Sequence, residues 1–364
     1  MEATEYTSLI VLKPNGPRRK RFFTRAVIAL VMTIAIISTY LSYRSSLWNA
    51  VYTVRYPELN KPLRVRLYTH NIRFDNHNLD KHERYWSERK HLVTSSIDYN
   101  TDASFASVVC LQEVLHHQLQ DILFNLNNKD TRDEWTYYGV GRSDGYTRGE
   151  YAPILYRTSD WDLVDNKTFW LLETPRIPSK GWDAALERIV TMVTLRSKLN
   201  PLVTLNFFNT HFDHRGKAAR RHLAQLIANK MENYNNYPSF LCGDFNTQPT
   251  DEPYQILIKH GMKDSRALID HLHHYGHTGT FTGFNKHNEA NSVIDYVWAP
   301  YFAENGNDQP SMETTESINY YNWDFHKTHK IALRSFAILH SYYDFYMSDH
   351  RPVSADYDVS RTFF

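Results

Sequence analysis

Leu63, Val65, Leu67 and Thr69 alternate with Arg64, Arg66 and Tyr68, a period of two that predicts a half-buried strand running into Asn71. Amphipathic spacing then predicts a helix from Tyr85 to Ile97, followed by an apolar strand from Ala106 to Gln112 that ends at Glu113. Helical spacing returns at Leu115, Leu119, Ile122, Leu123 and Leu126. Short β-type runs follow at Ala152–Tyr156, Phe169–Leu172, Ile189–Leu195 and Leu202–Asn209, and a helix from Lys217 to about Tyr234 buries Leu223, Leu226, Ile227 and Met231. Ser239–Leu241 reads as a strand that runs straight into Cys242-Gly243-Asp244-Phe245-Asn246, with later strands at Ile294–Ala299, Ile331–Leu339 and Val353–Val359. Strands mixed with helices without strict alternation argue for a layered α/β sandwich and against a doubly wound parallel sheet. No internal repeat and no glycine-rich phosphate loop occur, and the stretch from Glu304 to Lys330, rich in Asn, Thr, Glu and Tyr, reads as a long surface insertion.

One segment breaks this pattern. Residues 26–43, AVIALVMTIAIISTYLSY, are uncharged and bounded by Arg25 and Arg44; about 18 residues is the short end of a bilayer span. Lys13, Arg18, Arg19, Lys20, Arg21 and Arg25 precede it, little beyond Arg44 follows, and Trp48 stands where an interfacial aromatic would. The bias keeps residues 1–25 cytosolic as a basic tail and sends the rest to the lumen or exterior, a single-pass type II arrangement in which 44–61 is a linker and 62–364 the catalytic domain. A buried core helix would need a polar face, and a cleaved signal peptide a small-x-small site, and this stretch offers neither. The sequon at Asn166-Lys167-Thr168 is compatible with a luminal domain.

Composition adds bounds. With 364 residues, 42% hydrophobic and 14% aromatic, the chain can build a sizeable core, while a net charge of +1 supplies no field for drawing in polyanions and leaves the substrate open. The two cysteines, Cys110 and Cys242, sit inside apolar runs and read as reduced core thiols.

The chemistry concentrates at strand ends: Asn71, Glu113, Asn209 and His211, Asp244 and Asn246, Asp295, and Asp349-His350. Strand ends meeting on one rim can assemble a site from distant sequence. A hard cation such as Mg²⁺ takes oxygen ligands and few dedicated ones, and Glu113 offers a carboxylate and Asn71 a neutral oxygen. In-line attack of water on a phosphodiester also needs groups that stabilise the nonbridging oxygens. A carboxylate paired with a histidine raises the imidazole pKa and fixes its tautomer, a pairing that suits Asp295 with His350. By contrast, the spacing of His271, His273, His274 and His277 fits no closed zinc site and reads as solvated loop; Trp161, Trp170 and Trp182 read as core or rim aromatics.

THN at 69–71, LQE at 111–113, NTH at 209–211, GDFN at 243–246, IDY at 294–296 and SDH at 348–350 resemble, in order and spacing, the motifs of the endonuclease/exonuclease/phosphatase superfamily, from about Arg64 to Tyr357. The resemblance implies a four-layer α/β/β/α sandwich with two mixed sheets, and a metal-dependent hydrolase of phosphate esters. It implies that Glu113 binds Mg²⁺ or Mn²⁺ with Asn71 nearby and Asp349 completing the shell. Asp244, helped by Asn246, would align or deprotonate the attacking water, and His211 and His350 would contact the phosphate, with Asp295 holding His350. Asn209 is either a substrate contact or the residue that fixes the strand end presenting His211. Gly149-Glu150-Tyr151-Ala152-Pro153 stands where the family presents a substrate-side loop, which makes Glu150 and Tyr151 candidate substrate contacts or else part of a turn.

VIDYVWAP replaces the PAWCDR-type motif of the inositol 5-phosphatases, whereas GDFNTQPTDEPY is similar to the deadenylase and nocturnin-related branch. GWDAALERI at 181–189 and HTGTFTGF before VIDYVWAP look like a microbial group of unassigned substrate. The substrate expected is a phosphodiester in nucleic acid, a nucleotide or a phospholipid: a phosphodiesterase or nuclease first, a lipid or glycolipid phosphoesterase second. An inactive, membrane-tethered binding protein is the rival, disfavoured because no motif position is substituted. The membrane, through residues 26–43, is the other partner expected, and no protein partner is inferable.

Overall fold

The computed structural model describes residues 27–40, 43, 61–102, 104–128, 134–172, 177–300, 317–321 and 328–362. The chain forms two compact units, residues 1–55 with 363–364, and Tyr56–Thr362. In the first, residues 27–40 are helical, and large apolar side chains on all sides of that helix are exposed, from Val27 to Ile36 at 65%. Among the described residues no helix is long and apolar enough to cross a membrane. The span expected at 26–43 lies partly outside them, and the tail and nearly all of the linker lie wholly outside.

The second unit holds two mixed sheets packed face to face. One is built from β1 (Leu63–Asn71), β2 (Ala106–Gln112), β3 (Trp135–Tyr138), β4 (Ile154–Arg157), β10 (His274–Gly276), β13 (Thr328–Ile338) and β16 (Val353–Thr362) in the order β10-β13-β16-β1-β2-β4-β3, with β12 (Ser317–Tyr321) on β13. The other runs β5-β6-β7-β8-β11-β9, from β5 (Trp161–Trp170), β6 (Ile189–Ser197), β7 (Thr204–His211), β8 (Ser239–Asp244), β11 (Asp295–Pro300) and β9 (Met262–Asp264). A hairpin, β14 (Tyr342–Tyr343) and β15 (Phe345–Tyr346), stands apart.

Why the central strands read as continuous apolar runs is plain from their two faces. Leu63, Val65, Leu67, Val108 and Cys110 of one sheet meet Leu205, Phe207, Phe240, Cys242, Val297 and Ala299 of the other in a single core. Their odd-numbered or even-numbered neighbours point outward under helices. Tyr68, Val109 and Leu111 pack beneath α1 (Trp86–Asn100) and α2 (His116–Asn127). Phe208, Leu241 and Trp298 pack beneath α3 (Lys217–Glu232) and α4 (Glu252–Lys259). The result is the layered sandwich expected, helices outside and sheets within. Both cysteines are free and buried.

Two expectations change. β5 is far longer than the four residues expected: its middle, Asp162 to Lys167, is exposed and shows no alternation of polar and apolar positions, as an edge strand can, and a bulge between Leu163 and Asp165 shifts its register. The stretch read as a surface insertion contributes β12 and the start of β13, so its described part belongs to the sheet edge.

Candidate active site

The inward-facing rows of the sandwich core end in polar residues at one rim. On β8 the row Phe240, Cys242 continues as Asp244; on β7 Leu205, Phe207 continues as Asn209 and His211; on β1 Leu67 continues as Thr69 and Asn71. Strand register then aligns them: His211 is paired with Asp244 across β7 and β8, and Asp295 with Asp244 across β8 and β11. Gly243 sits at φ +147°, where an added Cβ would meet the Thr210 carbonyl oxygen at 2.1 Å, so this close strand approach admits only glycine.

Glu113 breaks the alternation. Gln112 takes the inward slot of β2 and donates to Asn209 Oδ1 at 2.7 Å, joining the two sheets. At Glu113 the backbone turns left-handed, φ +57°, a conformation that costs a non-glycine residue about 1–2 kcal/mol. Its carboxylate thereby reaches the rim, where Asn71 Nδ2 donates to Glu113 Oε1 and to Asp244 Oδ2, both at 3.0 Å. Asn71 is thus central, but its oxygen faces the Arg73 N–H at 3.0 Å and its NH₂ lies between the two acids. Ligand-type atoms of Glu113, His211 and Asp244 lie within 4.8 Å of one another, as do those of Asp244, Asp295 and His350. Asp349 lies outside both groups; its Oδ1 accepts from Ser348 Oγ at 3.3 Å, and its carboxylate feels the charge of Glu113.

Two histidines flank Asp244 in opposite charge states. His350 Nδ1 meets Asp295 Oδ2 at 2.9 Å and Oδ1 at 3.1 Å, and Nε2 lies 3.7 Å from Asp244 Oδ2. Burial opposes its charge, yet Asp295 and Asp244 outweigh burial and hold its pKa well above the usual value. His211 Nε2 accepts from Asn246 Nδ2 at 3.1 Å and stands 3.5 Å from Asp244 Oδ2. Burial, with Arg188 and Arg142 nearby, drives its pKa well down and keeps it neutral. Burial likewise pushes Asp244 up to about 7, opposed by His350 and reinforced by Asp295. Asp349 and Glu150 are raised by burial and, more weakly, by Glu113. Glu113 is lowered, because Asn71, Arg73 and His350 together outweigh its burial. Buried, mutually repelling oxygen acids are the donor set of a hard divalent cation, so the residues present fit one.

The candidate substrate contacts divide. Glu150 borders the site, 3.8 Å from His211 Nδ1, with its other oxygen on Arg142 Nη2 at 2.6 Å. Tyr151 lines a small pocket together with Glu150, Arg188 and His211, while its hydroxyl donates to the Tyr146 carbonyl at 2.7 Å and lies 2.9 Å from His116 Nδ1. Asn209 is fully buried between the sheets, donating to the Leu111 and Pro153 carbonyls at 2.8 Å each.

Other residues here were not anticipated. Arg188 is buried, bonded to Asp213 Oδ2 at 3.4 Å and to His214 at 3.1 Å, and Arg142 and Arg73 add further charge. GWDAALERI contained Arg188, but nothing in its spacing marked the arginine. HTGTFTGF has a physical explanation: Thr280 Oγ1 accepts from the Asp295 N–H at 3.2 Å, Thr282 N–H donates to the Asp349 carbonyl at 2.7 Å, and the Phe281 ring packs 4.9 Å from that of His350.

A family model described as "Endonuclease/Exonuclease/phosphatase family" matches residues 68–350. The chain belongs to this family. Members of the endonuclease/exonuclease/phosphatase family are metal-dependent hydrolases of phosphate esters. Among solved structures, a family protein from Bacteroides thetaiotaomicron is 29% identical, with TM-score 0.67 over 82% of this chain and 99% of its own. A mannosyl-6-phosphatase from the same organism is 30% identical, with TM-score 0.64 over 82% and 100%. The catalytic domain of human nocturnin, 18% identical with TM-score 0.55 over 82% and 95%, shares the fold. No curated protein matches the sequence.

Proposed function

We propose that this chain is a membrane-anchored phosphodiesterase, dependent on Mg²⁺ or Mn²⁺, with its catalytic domain luminal or extracellular. One observation carries the reading: Glu113, Asn71 and Asp244 converge within hydrogen-bond distance, beside the His350–Asp295 pair. Glu113 is the principal metal ligand, with Asp349 in support, and the bound ion supplies Lewis-acid stabilisation of the phosphate charge. Asp244, pushed up to about 7, suits a base that takes a proton from water near neutral pH. Cationic His350, oriented through Asp295, donates from Nε2 to a phosphate oxygen, and neutral His211, whose Nε2 accepts from Asn246, keeps its proton on Nδ1 and donates a second hydrogen bond from there.

The anchor rests on residues 26–43. In the described helix Thr33 and Thr39 turn their hydroxyls onto the Ala29 and Ala35 carbonyls at 2.8 and 2.7 Å, which leaves an apolar exterior suited to lipid. This favours, as the second reading, a lipid-borne phosphoester. The test is a screen of the full chain in detergent against nucleic acids, nucleotides, phosphoinositides and sphingomyelin-type lipids, with and without Mg²⁺ or Mn²⁺. Metal-dependent cleavage of at least one class is expected; no turnover with either metal would contradict the reading.

A further inference from the structure

A cavity of ≈ 390 Å³ is lined by none of the residues to which the chemistry above gives a role. Three segments wall it: the turn ahead of α1, the loop after β10 and the β14–β15 hairpin. Each segment is tied to a site residue. In the first, Glu83 accepts from Arg73 Nε at 3.1 Å, and the Arg73 N–H holds Asn71. In the second, Gly283 N–H donates to the Asp349 carbonyl at 3.2 Å and Phe284 follows it. The hairpin leads directly through Met347 and Ser348 into Asp349.

The wall is built and not merely left over. His82, Phe284 and Asp344 hold left-handed backbone, with φ of 71°, 57° and 65°, a conformation uncommon for residues other than glycine. Four basic side chains, His82, Arg84, Lys286 and His287, border the space, against Asp344 and a Glu83 that Arg73 already neutralises. Phe284, Tyr342, Phe345 and Tyr346 give the apolar surface, and Lys286 Nζ stands 4.0 Å over the Tyr342 ring. Small-molecule sites run from about 300 to 1,000 Å³, so this space takes one ring and its substituents, not a length of polymer.

We propose that this cavity is the subsite for the remote part of the substrate, and that it takes a sugar phosphate. The aromatic wall covers one face of a sugar ring, Asp344 accepts from its hydroxyls, and Arg84 and Lys286 bind a second phosphate apart from the scissile one. The proposal rests on the phosphoesterase reading but is tested without turnover. The full chain in detergent, with EDTA, is titrated calorimetrically with glucose 6-phosphate, adenosine 5′-monophosphate and inorganic phosphate. A sugar phosphate should bind at least tenfold more tightly than inorganic phosphate, and the tighter of the two identifies a hexose or a nucleotide as its source. The Arg84→Glu/Lys286→Glu double variant should lose at least tenfold in that affinity with an unchanged melting temperature, and Phe345→Ala should lose the preference over inorganic phosphate. Equal affinity in wild type and double variant, or no preference for a sugar phosphate, would overturn the proposal. Turnover of bis(4-nitrophenyl) phosphate with Mn²⁺, measured on the same preparation, tests the phosphoesterase reading separately; its absence would leave the binding result standing.

Discussion

Replacing Asn209 by alanine separates a residue that builds the rim from one that touches substrate. Its side chain is fully buried and makes three hydrogen bonds: two donated to carbonyls at 2.8 Å and one accepted from Gln112 at 2.7 Å. At about 1 kcal/mol net for each, the loss is about 3 kcal/mol. Gln112 Nε2 keeps Thr69 Oγ1 at 3.0 Å, so no further penalty for an unpaired donor is added. At about 1.6 °C per kcal/mol for a folded unit of about 300 residues, melting should fall by about 5 °C. Calorimetric unfolding gives the first number, and kcat/KM on a generic phosphodiester, taken well below the transition, gives the second. Activity should stay within about tenfold, or 1.4 kcal/mol, of wild type. Activity lost by a thousandfold with unchanged melting would refute the reasoning and return Asn209 to the substrate.

Other expectations follow from the same contacts. Burial raises Asp264 from 3.8 to about 6; the native state therefore binds its proton more tightly, and stability declines as pH rises from about 4 to 6. Asp264→Asn, which can accept from the Arg266 N–H and donate to the Tyr254 hydroxyl, should stabilise by about 3 kcal/mol at pH 7 and by almost nothing at pH 3 in urea unfolding; equal effects at both pH values would contradict this. Asp295→Asn should lower the His350 pKa, read by NMR titration, and cut kcat about 10²–10⁴-fold; an unmoved titration would remove Asp295 from its positioning role. Asn166 is exposed on β5, so glycosylation is expected in a eukaryotic host, and protease added to sealed vesicles should spare the second unit. Digestion of that unit would reverse the proposed topology.

Much of the fold could be read from alternation. β2 spans Ala106–Gln112, as its apolar run indicates, because strands buried on both faces tolerate few polar residues. β5 was not legible over most of its length: an edge strand with Asp162, Asp165, Asn166 and Lys167 has no apolar face to announce it. The same physics divides the site. Asp244, Glu113, His211 and His350 stand out because acids and imidazoles at the ends of buried strands need a reason to be there. Asn209 lies in an equally suggestive string, and only packing distinguishes a side chain aimed between the sheets from one aimed at the rim. Arg142 and Arg188 gave no signal, since an arginine in a loop or at a strand start is ordinary until the fold buries it against a histidine.

The central claim is that Glu113, supported by Asp349, holds one divalent cation beside the base Asp244. Mn²⁺ binding by the full chain, followed by electron paramagnetic resonance and calorimetry, measures this directly. Saturable binding is expected in wild type, lost in Glu113→Ala and weakened at least tenfold in Asp349→Ala, with both variants melting as cooperatively as the parent. Undiminished Mn²⁺ affinity in Glu113→Ala would contradict it.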